Sequence, residues 1–181
     1  INNLGAVATR GIAREMVDRI VEHWGSLTIG VNNAGISEWH DAETMAVDAW
    51  RRIMDLNLDG VFLGMKHCIP PMRDSGGGSI VNMGSVSTTR AGNNPGYSTS
   101  KVGMLGLTET AAYFYAKDNI RCNIVSPGHV DTPFIRESHG HSPNTWETSI
   151  ENPDNYQRRV NSTPMGRMLV AEDIAPAFLF L

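Results

Sequence analysis

The sequence predicts a layered α/β fold, because short strand-like runs alternate with longer stretches that have helical periodicity. Residues 27–31, 79–83 and 120–125 have the length and apolar composition of buried strands. Polar turn residues follow each of these runs, and helical patterns separate them. Strands that are joined through helices pair in parallel by right-handed crossovers. We therefore expect a parallel sheet flanked by helices.

Three long helices are expected between and around these strands. The first ends at Gly25, after apolar residues that recur at helical spacing, namely Ile12, Met16, Val17, Ile20 and Trp24. The second opens at or just before Asp48 and ends before the pair Pro70-Pro71. The third runs from about Tyr97 to Lys117. Residues 134–166 show weak periodicity, and so long a segment inside one domain is usually functional or mobile.

The composition is that of an ordinary globular domain, with 181 residues, 41% hydrophobic residues and a net charge of −4. This balance gives no indication of nucleic-acid or membrane partners, and no apolar run approaches the roughly 20 residues of a membrane span. Cys68 and Cys122 lack metal-site spacing and fit a reducing compartment. Since no secretion signal opens the chain, we expect a cytoplasmic protein.

The most informative chemical pattern is Tyr97-Ser-Thr-Ser-Lys101, at the start of the third predicted helix. Residues four apart on a helix share one face. A nearby ammonium stabilises a phenolate and lowers the pKa of a tyrosine from its usual value of about 10. Tyr97 is therefore a candidate general acid or base. Taken alone, the pair also fits a solvated helix face.

Other polar motifs occur in order around this pair. They are Asn32-Asn-Ala-Gly35 after the first strand, Asn57 in the second helix, Ser85 after the second strand, and Ser126-Pro-Gly128 with Val130-Asp-Thr-Pro133 after the third strand. Together these motifs closely resemble the short-chain dehydrogenase/reductase family. The resemblance implies a Rossmann-like, three-layer, doubly wound parallel sheet that is truncated at both ends. It also implies hydride transfer between a nicotinamide and a secondary alcohol or ketone.

The resemblance assigns roles to four candidate catalytic residues. Tyr97 exchanges a proton with the substrate oxygen, and Ser85 donates a hydrogen bond to that oxygen. Lys101 lowers the pKa of Tyr97 and binds the nicotinamide ribose. Asn57 holds a water that links Lys101 to solvent; an interior amide bonded to a neighbouring backbone is the alternative. Ser87 is the other hydroxyl near Tyr97, but Ser85 has the spacing closer to that of the family.

The implied cofactor is NAD or NADP, and the chain does not indicate which. By resemblance, Asn33, Ala34 and Gly35 lie beside the adenosine. The nicotinamide end contacts a second set, made of Tyr97, Lys101, Pro127, Gly128, Val130 and Thr132. Gly35 and Gly128 also fit simple turn positions.

The main departure from the family pattern is the lack of a glycine-rich pyrophosphate turn after a first strand. Residues 5–13 contain glycines, but their spacing does not match and no strand precedes them. We interpret residues 1–181 as one partial domain that lacks the N-terminal glycine-rich unit and the last strand, with a lid-like substrate loop at about 134–166. The 181-residue chain is therefore expected to bind NAD(P) weakly or not at all. His139 and His141 are interpreted as solvated loop residues, and no metal is expected.

Two other functions stay open at this stage. One is a non-catalytic fragment or pseudoenzyme without a competent cofactor site. The other is an epimerase or dehydratase that acts on nucleotide sugars, which the Ser126-Pro-Gly128 turn disfavours. The helices around residues 51–72 and 97–117 carry more apolar positions than one core-facing stripe requires. We therefore expect a homodimer or homotetramer that acts on a small alcohol or carbonyl compound.

Overall fold

The computed structural model describes residues 10–90, 92, 94–138 and 144–181. Its main elements, in chain order, are α1 (Arg10–Trp24), β1 (Ile29–Asn32), α2 (Val47–Met54), a π-helical turn (Asp55–Asp59), α3 (Gly60–Asp74), β2 (Gly78–Met83), α4 (Pro95–Tyr115), β3 (Ile120–Val125), α5 (Pro133–Arg136), α6 (Pro153–Ser162) and α7 (Ala171–Phe180). Short 3-10 turns follow β2 at Val86–Thr88 and α4 at Ala116–Asp118. The π-helical turn joins α2 to α3 without a break.

The strands of the described residues form one parallel sheet in the order β1-β2-β3. Ile29 lies opposite Ser79, and Ile80 lies opposite Cys122. The prediction of a parallel α/β fold is therefore confirmed. Since the strands run in the same direction, their carboxyl ends meet at one edge of the sheet, where ligands of such folds bind.

Helices α3 and α4 cover one face of the sheet, and α1 packs against α3. The core between them contains side chains that are at most 2% exposed, among them Ile80, Ile120, Met72 and Met104. On the opposite face, Ser79 Oγ donates to Leu181 O at 2.8 Å, which brings the end of α7 onto the sheet. Ile29 and Val31 on that face are exposed.

A buried chain of polar side chains crosses the centre of this core. Asn82 on β2 is fully buried, accepts from Asn32 Nδ2 at 2.8 Å and donates to Thr108 Oγ1 at 2.9 Å. The bonds link β1 and β2 to α4. A Cβ atom at Gly64 would lie 2.3 Å from Asn32 Oδ1, so only glycine lets α3 approach β1 this closely. The first asparagine of the turn motif is thus a structural residue.

Helix α3 does not end before Pro70-Pro71, as the sequence predicted, but continues to Asp74. Each proline removes a helical hydrogen bond, but Ile69 and Met72 on either side are buried in the core. Ser75 closes the helix, because its N–H and its hydroxyl both donate to Pro71 O, at 3.0 and 2.7 Å. The burial of Ile69 and Met72 here outweighs the tendency of proline to end a helix.

Two helix starts differ from the sequence prediction, and both follow an asparagine that precedes a proline. Asn94 Oδ1 accepts from Tyr97 N at 3.0 Å, so α4 begins two residues earlier than expected. Asn152 Oδ1 accepts from Asp154 N at 3.0 Å and begins α6, inside the segment 134–166 that showed weak periodicity. An N-cap followed by proline at the first helical position is the signal that periodicity alone does not detect.

Some predictions concern residues outside the described ranges, namely His139, His141 and most of residues 5–13. Within the described ranges, no three His, Cys, Asp or Glu side chains are grouped so that they could hold a metal ion. No helix among these residues is long and apolar enough to cross a membrane. Cys68 and Cys122 are free thiols, and burial raises the pKa of each to about 11.

The close approach at Gly64 generates a stability prediction. Gly64→Ala should lower the free energy of unfolding by about 1–3 kcal/mol, because the new methyl group displaces Asn32 and leaves buried polar atoms unpaired. Denaturant unfolding measures this change. Gly11→Ala is the control, since a Cβ at that helical position meets nothing within 4 Å. Equal stability of the two variants would show that Asn32 adapts without cost.

Candidate active site

A cavity of about 1090 Å³ opens at the carboxyl edge of the sheet. The segments after β1, β2 and β3 and the start of α4 form part of its wall. Phe134 of α5, Arg159 of α6 and Ile174 of α7 line other parts. Its position is the one where open parallel sheets bind ligands, which makes it the candidate active site.

Ser85 lies just beyond β2 and is held by the loop that it begins. Its Oγ accepts from Ser87 N at 3.2 Å and caps the short turn Val86–Thr88. Val86 N donates to Pro127 O at 2.9 Å, which ties this loop to the turn after β3. The local fold therefore fixes the Ser85 hydroxyl at the sheet edge.

Tyr97 and Lys101 meet Ser85 from the first turns of α4. The Ser85 hydroxyl lies near enough to the Tyr97 phenol for hydrogen bonding to lower the pKa of the tyrosine. Lys101 Nζ lies 5.4 Å from the centroid of the Tyr97 ring, as expected for residues four apart on a helix. The same ammonium donates to Met83 O, the last carbonyl of β2, at 2.6 Å. The structure thus brings these three predicted residues together, and Ser85 rather than Ser87 contacts Tyr97.

Desolvation shifts both ionisable groups toward their neutral forms. It raises the pKa of Tyr97, and the hydrogen bond with Ser85 opposes this increase. It lowers the pKa of Lys101 to about 8. The expectation that Lys101 lowers the pKa of Tyr97 is therefore not met in this structure. The physical reason is the burial of the phenol, and Lys101 Nζ bonds to Met83 O and not to the phenol within the described residues.

Asn57 lies behind the cavity rather than in its wall and is fully buried in the π-helical turn. Its Oδ1 accepts from Ile36 N at 2.8 Å, and its Nδ2 donates to Ile36 O at 2.9 Å and to Ser100 Oγ at 3.2 Å. The side chain therefore fixes the segment after β1 against α4. Its amide hydrogens are all used inside the protein.

The predicted cofactor residues all line this one cavity: Asn33, Ala34, Gly35, Tyr97, Lys101, Pro127, Gly128, Val130 and Thr132. A Cβ atom at Gly35 would lie 3.8 Å from Lys101 Nζ and 3.3 Å from Asn57 Oδ1, so a side chain there would crowd the ammonium. The lining holds Arg90, Lys101 and Arg159 but no Asp or Glu among the described residues, which suits an anionic dinucleotide.

This fit does not extend to the pyrophosphate of a dinucleotide. No strand among the described residues is followed by a turn with several closely spaced glycines, which is the element that normally faces a pyrophosphate. The residues present would therefore hold the nicotinamide with its ribose and, at Asn33, Ala34 and Gly35, part of the adenosine, but not the pyrophosphate.

Several residues of the site gave no clear signal in the sequence. Asn94 Nδ2 donates to Ser37 Oγ at 3.0 Å and also to Glu38 O, so the helix cap is also a clamp on the loop after β1. His129, for which sequence reasoning found no partner, lies with its Nδ1 3.2 Å from Arg159 Nη1. These contacts join segments far apart in the chain, and local pattern carries no information about them.

Comparisons with known proteins agree with this geometry. Residues 6–181 match the family described as Enoyl-(Acyl carrier protein) reductase. Cyclohexanol dehydrogenase of Acinetobacter sp. (strain SE19) is 35% identical over 167 residues, which is 91% of this chain and 60% of the relative. (+)-Borneol dehydrogenase 2 of Salvia officinalis is 38% identical over 173 residues, 93% of this chain and 60% of the relative.

Among solved structures, the gluconate 5-dehydrogenase from Burkholderia cenocepacia J2315 in complex with NADP and tartrate has a TM-score of 0.87 and 26% identity. The match covers 97% of this chain and 65% of that one. The chain spans about 60% of the length of the cyclohexanol and borneol dehydrogenases. With its parallel sheet, its Tyr97–Lys101 pair and these matches, the chain belongs to the short-chain dehydrogenase/reductase family, whose cofactor is NAD or NADP.

Proposed function

We propose that the whole protein transfers hydride between NAD or NADP and a small secondary alcohol or ketone. The observation that carries this proposal is the meeting of Ser85, Tyr97 and Lys101 at the carboxyl edge of the sheet, in the wall of one large cavity. The cyclohexanol and borneol dehydrogenases among its relatives support an alcohol as the substrate.

In the direction of oxidation, Tyr97 takes the proton from the substrate hydroxyl as the carbinol C–H bond breaks. When bound, the nicotinamide supplies the hydride acceptor. Ser85 donates a hydrogen bond to the same substrate oxygen, and a preorganised donor of this kind is worth a few kcal/mol in the transition state. In reduction the proton returns from Tyr97 to the carbonyl oxygen. Electrons and protons balance because the hydride and one proton leave the alcohol together.

Lys101 has two roles in this proposal. With a pKa of about 8, its ammonium is mostly protonated at neutral pH. One of its three N–H groups donates to Met83 O, so the others remain for a ribose hydroxyl and for a water. We assign the water contact of Asn57 to its main-chain carbonyl, since its side-chain amide is occupied by Ile36 and Ser100.

This function goes with an expected cellular compartment, and two alternative functions compete with it. The free thiols of the half-buried Cys68 and the buried Cys122 support a reducing compartment such as the cytoplasm. The runner-up is a non-catalytic protein that scaffolds a partner, and the absence of turnover with every alcohol and both cofactors would favour it. An epimerase or dehydratase is less well supported, because the relatives named above are dehydrogenases.

The central test is Tyr97→Phe in the whole protein. The change keeps the ring and removes the proton-transferring hydroxyl, so turnover should fall by about 10²–10⁴-fold with nearly unchanged cofactor affinity. Nicotinamide absorbance measures turnover over a panel of secondary alcohols with each cofactor. Tyr113→Phe on the exposed side of the same helix is the matched control and should keep full activity. Activity of Tyr97→Phe above a tenth of that of the unmodified protein would exclude the assigned role.

Lys101→Ala should behave differently from Tyr97→Phe. It should weaken the binding of NADH and NADPH as well as lower the turnover number, because Lys101 is assigned to both ribose binding and the proton pathway. Nicotinamide fluorescence measures the two affinities. Lys117→Ala removes the same charge at an exposed position just after α4 and should change neither quantity. A Lys101→Ala variant with unchanged affinity for both cofactors would restrict Lys101 to proton transfer.

We also propose that the whole protein forms a homodimer or homotetramer through α3 and α4. These helices leave large apolar side chains exposed, namely Phe62, Val102, Tyr113 and Phe114. Phe114→Glu should therefore shift the protein to a monomer in sedimentation at micromolar concentration. Trp24→Glu places the same charge on an exposed aromatic residue of α1 and should leave assembly unchanged. A monomeric unmodified protein would contradict the proposal.

A further inference from the structure

Arg159 is a buried cation in the wall of the candidate active site. It lies on α6 with only 9% of its surface exposed, whereas its neighbour Arg158 is exposed. Its side chain lines the same cavity as Ser85 and Tyr97. Arginine is almost never buried to this degree unless an anion accompanies it.

The groups that contact this guanidinium directly are uncharged acceptors and a ring, and the charge that acts on it from the neighbouring residue, Arg158, is also positive. Nη2 donates to Thr148 O at 3.2 Å, and Nη1 lies 3.2 Å from His129 Nδ1. The guanidinium carbon is 5.7 Å from the centroid of the Trp39 ring. Nε is buried and has no hydrogen-bond partner. Within the described residues, no carboxylate forms an ion pair with Arg159.

The charge of the cavity lining also favours an anionic ligand. Although the chain has a net charge of −4, the described lining of the cavity contains three cationic side chains and no acidic one. Of these cations, Lys101 donates to Met83 O at the end of β2, and Arg90 lies exposed on the loop after β2. Arg159 is also buried, its guanidinium lies against the Trp39 ring, and Phe134 is a further aromatic residue of the same lining.

We propose that Arg159, assisted by His129, binds a carboxylate of the substrate, so that the preferred substrates are secondary hydroxy acids or the corresponding oxo acids. The inference rests on the proposed function and adds the charge of the substrate to it. A carboxylate accepts two parallel hydrogen bonds from the arginine fork, and Nε is the unpaired half of such a fork. Trp39 and Phe134 provide apolar surface for the carbon skeleton between the carboxylate and the carbinol.

Two alternative roles for Arg159 lead to different experimental results. A purely structural residue would anchor the segment before α6 through Thr148 O and would act equally on charged and neutral ligands. A residue for the cofactor would bind the phosphates of the dinucleotide. The test therefore needs a charged and a neutral ligand of one shape, and a phosphate competitor.

The binding test titrates the 181-residue chain with benzoate and with benzamide, its uncharged analogue, following tryptophan fluorescence because Trp39 contacts the guanidinium. Benzoate should bind at least ~10-fold more tightly than benzamide, as expected for a charge-assisted pair. Arg159→Gln should abolish the difference, and Arg159→Lys should restore part of it. Arg158→Gln removes the same charge from the exposed neighbour on α6 and should leave the preference intact.

Equal affinities for benzoate and benzamide, or no binding of either, would overturn the proposal. An unchanged benzoate preference in Arg159→Gln would also overturn it. Displacement of benzoate by lower concentrations of inorganic pyrophosphate would assign the site to the dinucleotide phosphates instead. Circular dichroism shows whether each variant is folded. If Arg159→Gln is unfolded, Arg159→Lys replaces it in the comparison with the unmodified chain.

Kinetic measurements on the whole protein distinguish the carboxylate site at Arg159 from the proposed dehydrogenase function. For a hydroxy acid and its methyl ester, Arg159→Gln should raise the KM of the acid at least ~10-fold and leave the KM of the ester and both kcat values nearly unchanged. Turnover of the ester with equal or higher kcat/KM than the acid would refute the carboxylate site and keep the dehydrogenase function. Loss of turnover with every alcohol would refute the function, while the benzoate titration would still decide the anion site.

Discussion

The bond between the Lys101 ammonium and Met83 O is the interaction on which the candidate site depends. It joins the first turns of α4 to the carboxyl end of β2, at 2.6 Å and with the lysine 3% exposed. Because Tyr97 lies one helical turn before Lys101, this bond also sets the position of its hydroxyl relative to Ser85. An apolar side chain at position 101 would lack the donor that holds the helix to the strand end.

Asparagine amides carry out the remaining positioning. Asn57 fixes the segment after β1, Asn82 connects two strands to α4, and Asn94 begins α4 while it holds the loop at Glu38. An amide is suited to this task because it donates and accepts at once without carrying a charge. The buried loops of the site therefore satisfy their backbone groups without additional ionised residues, and the cations of the cavity stay unneutralised.

The residues that sequence analysis identified correctly are those whose signal is local. Strand runs, the spacing of Tyr97 and Lys101, and a serine just after a strand each depend on a few neighbours in the chain. One error arises where distant packing decides, since Pro70-Pro71 stays helical because Met72 is buried. The start of α6 was missed for another reason: its signal, Asn152 before Pro153, is a local cap and not a periodic pattern. Arg159 could not be predicted as a site residue from the sequence. Its environment is made by Trp39, His129 and Thr148, and no spacing rule connects these residues to it.

The protonation states of Tyr97 and Lys101 depend on the charge of the ligand in the cavity. Burial raises the pKa of Tyr97 and lowers that of Lys101, so both groups are driven toward neutrality by the same desolvation. A cation brought next to the phenol lowers its pKa, and an anion next to the ammonium raises the pKa of Lys101. A cationic occupant beside the phenol would therefore act in the same direction as the hydrogen bond with Ser85 and lower the pKa of Tyr97. Under the proposed carboxylate site, Arg159 neutralises the negative charge of the substrate, and the ionisation of Tyr97 then depends on how close that carboxylate lies to the phenol.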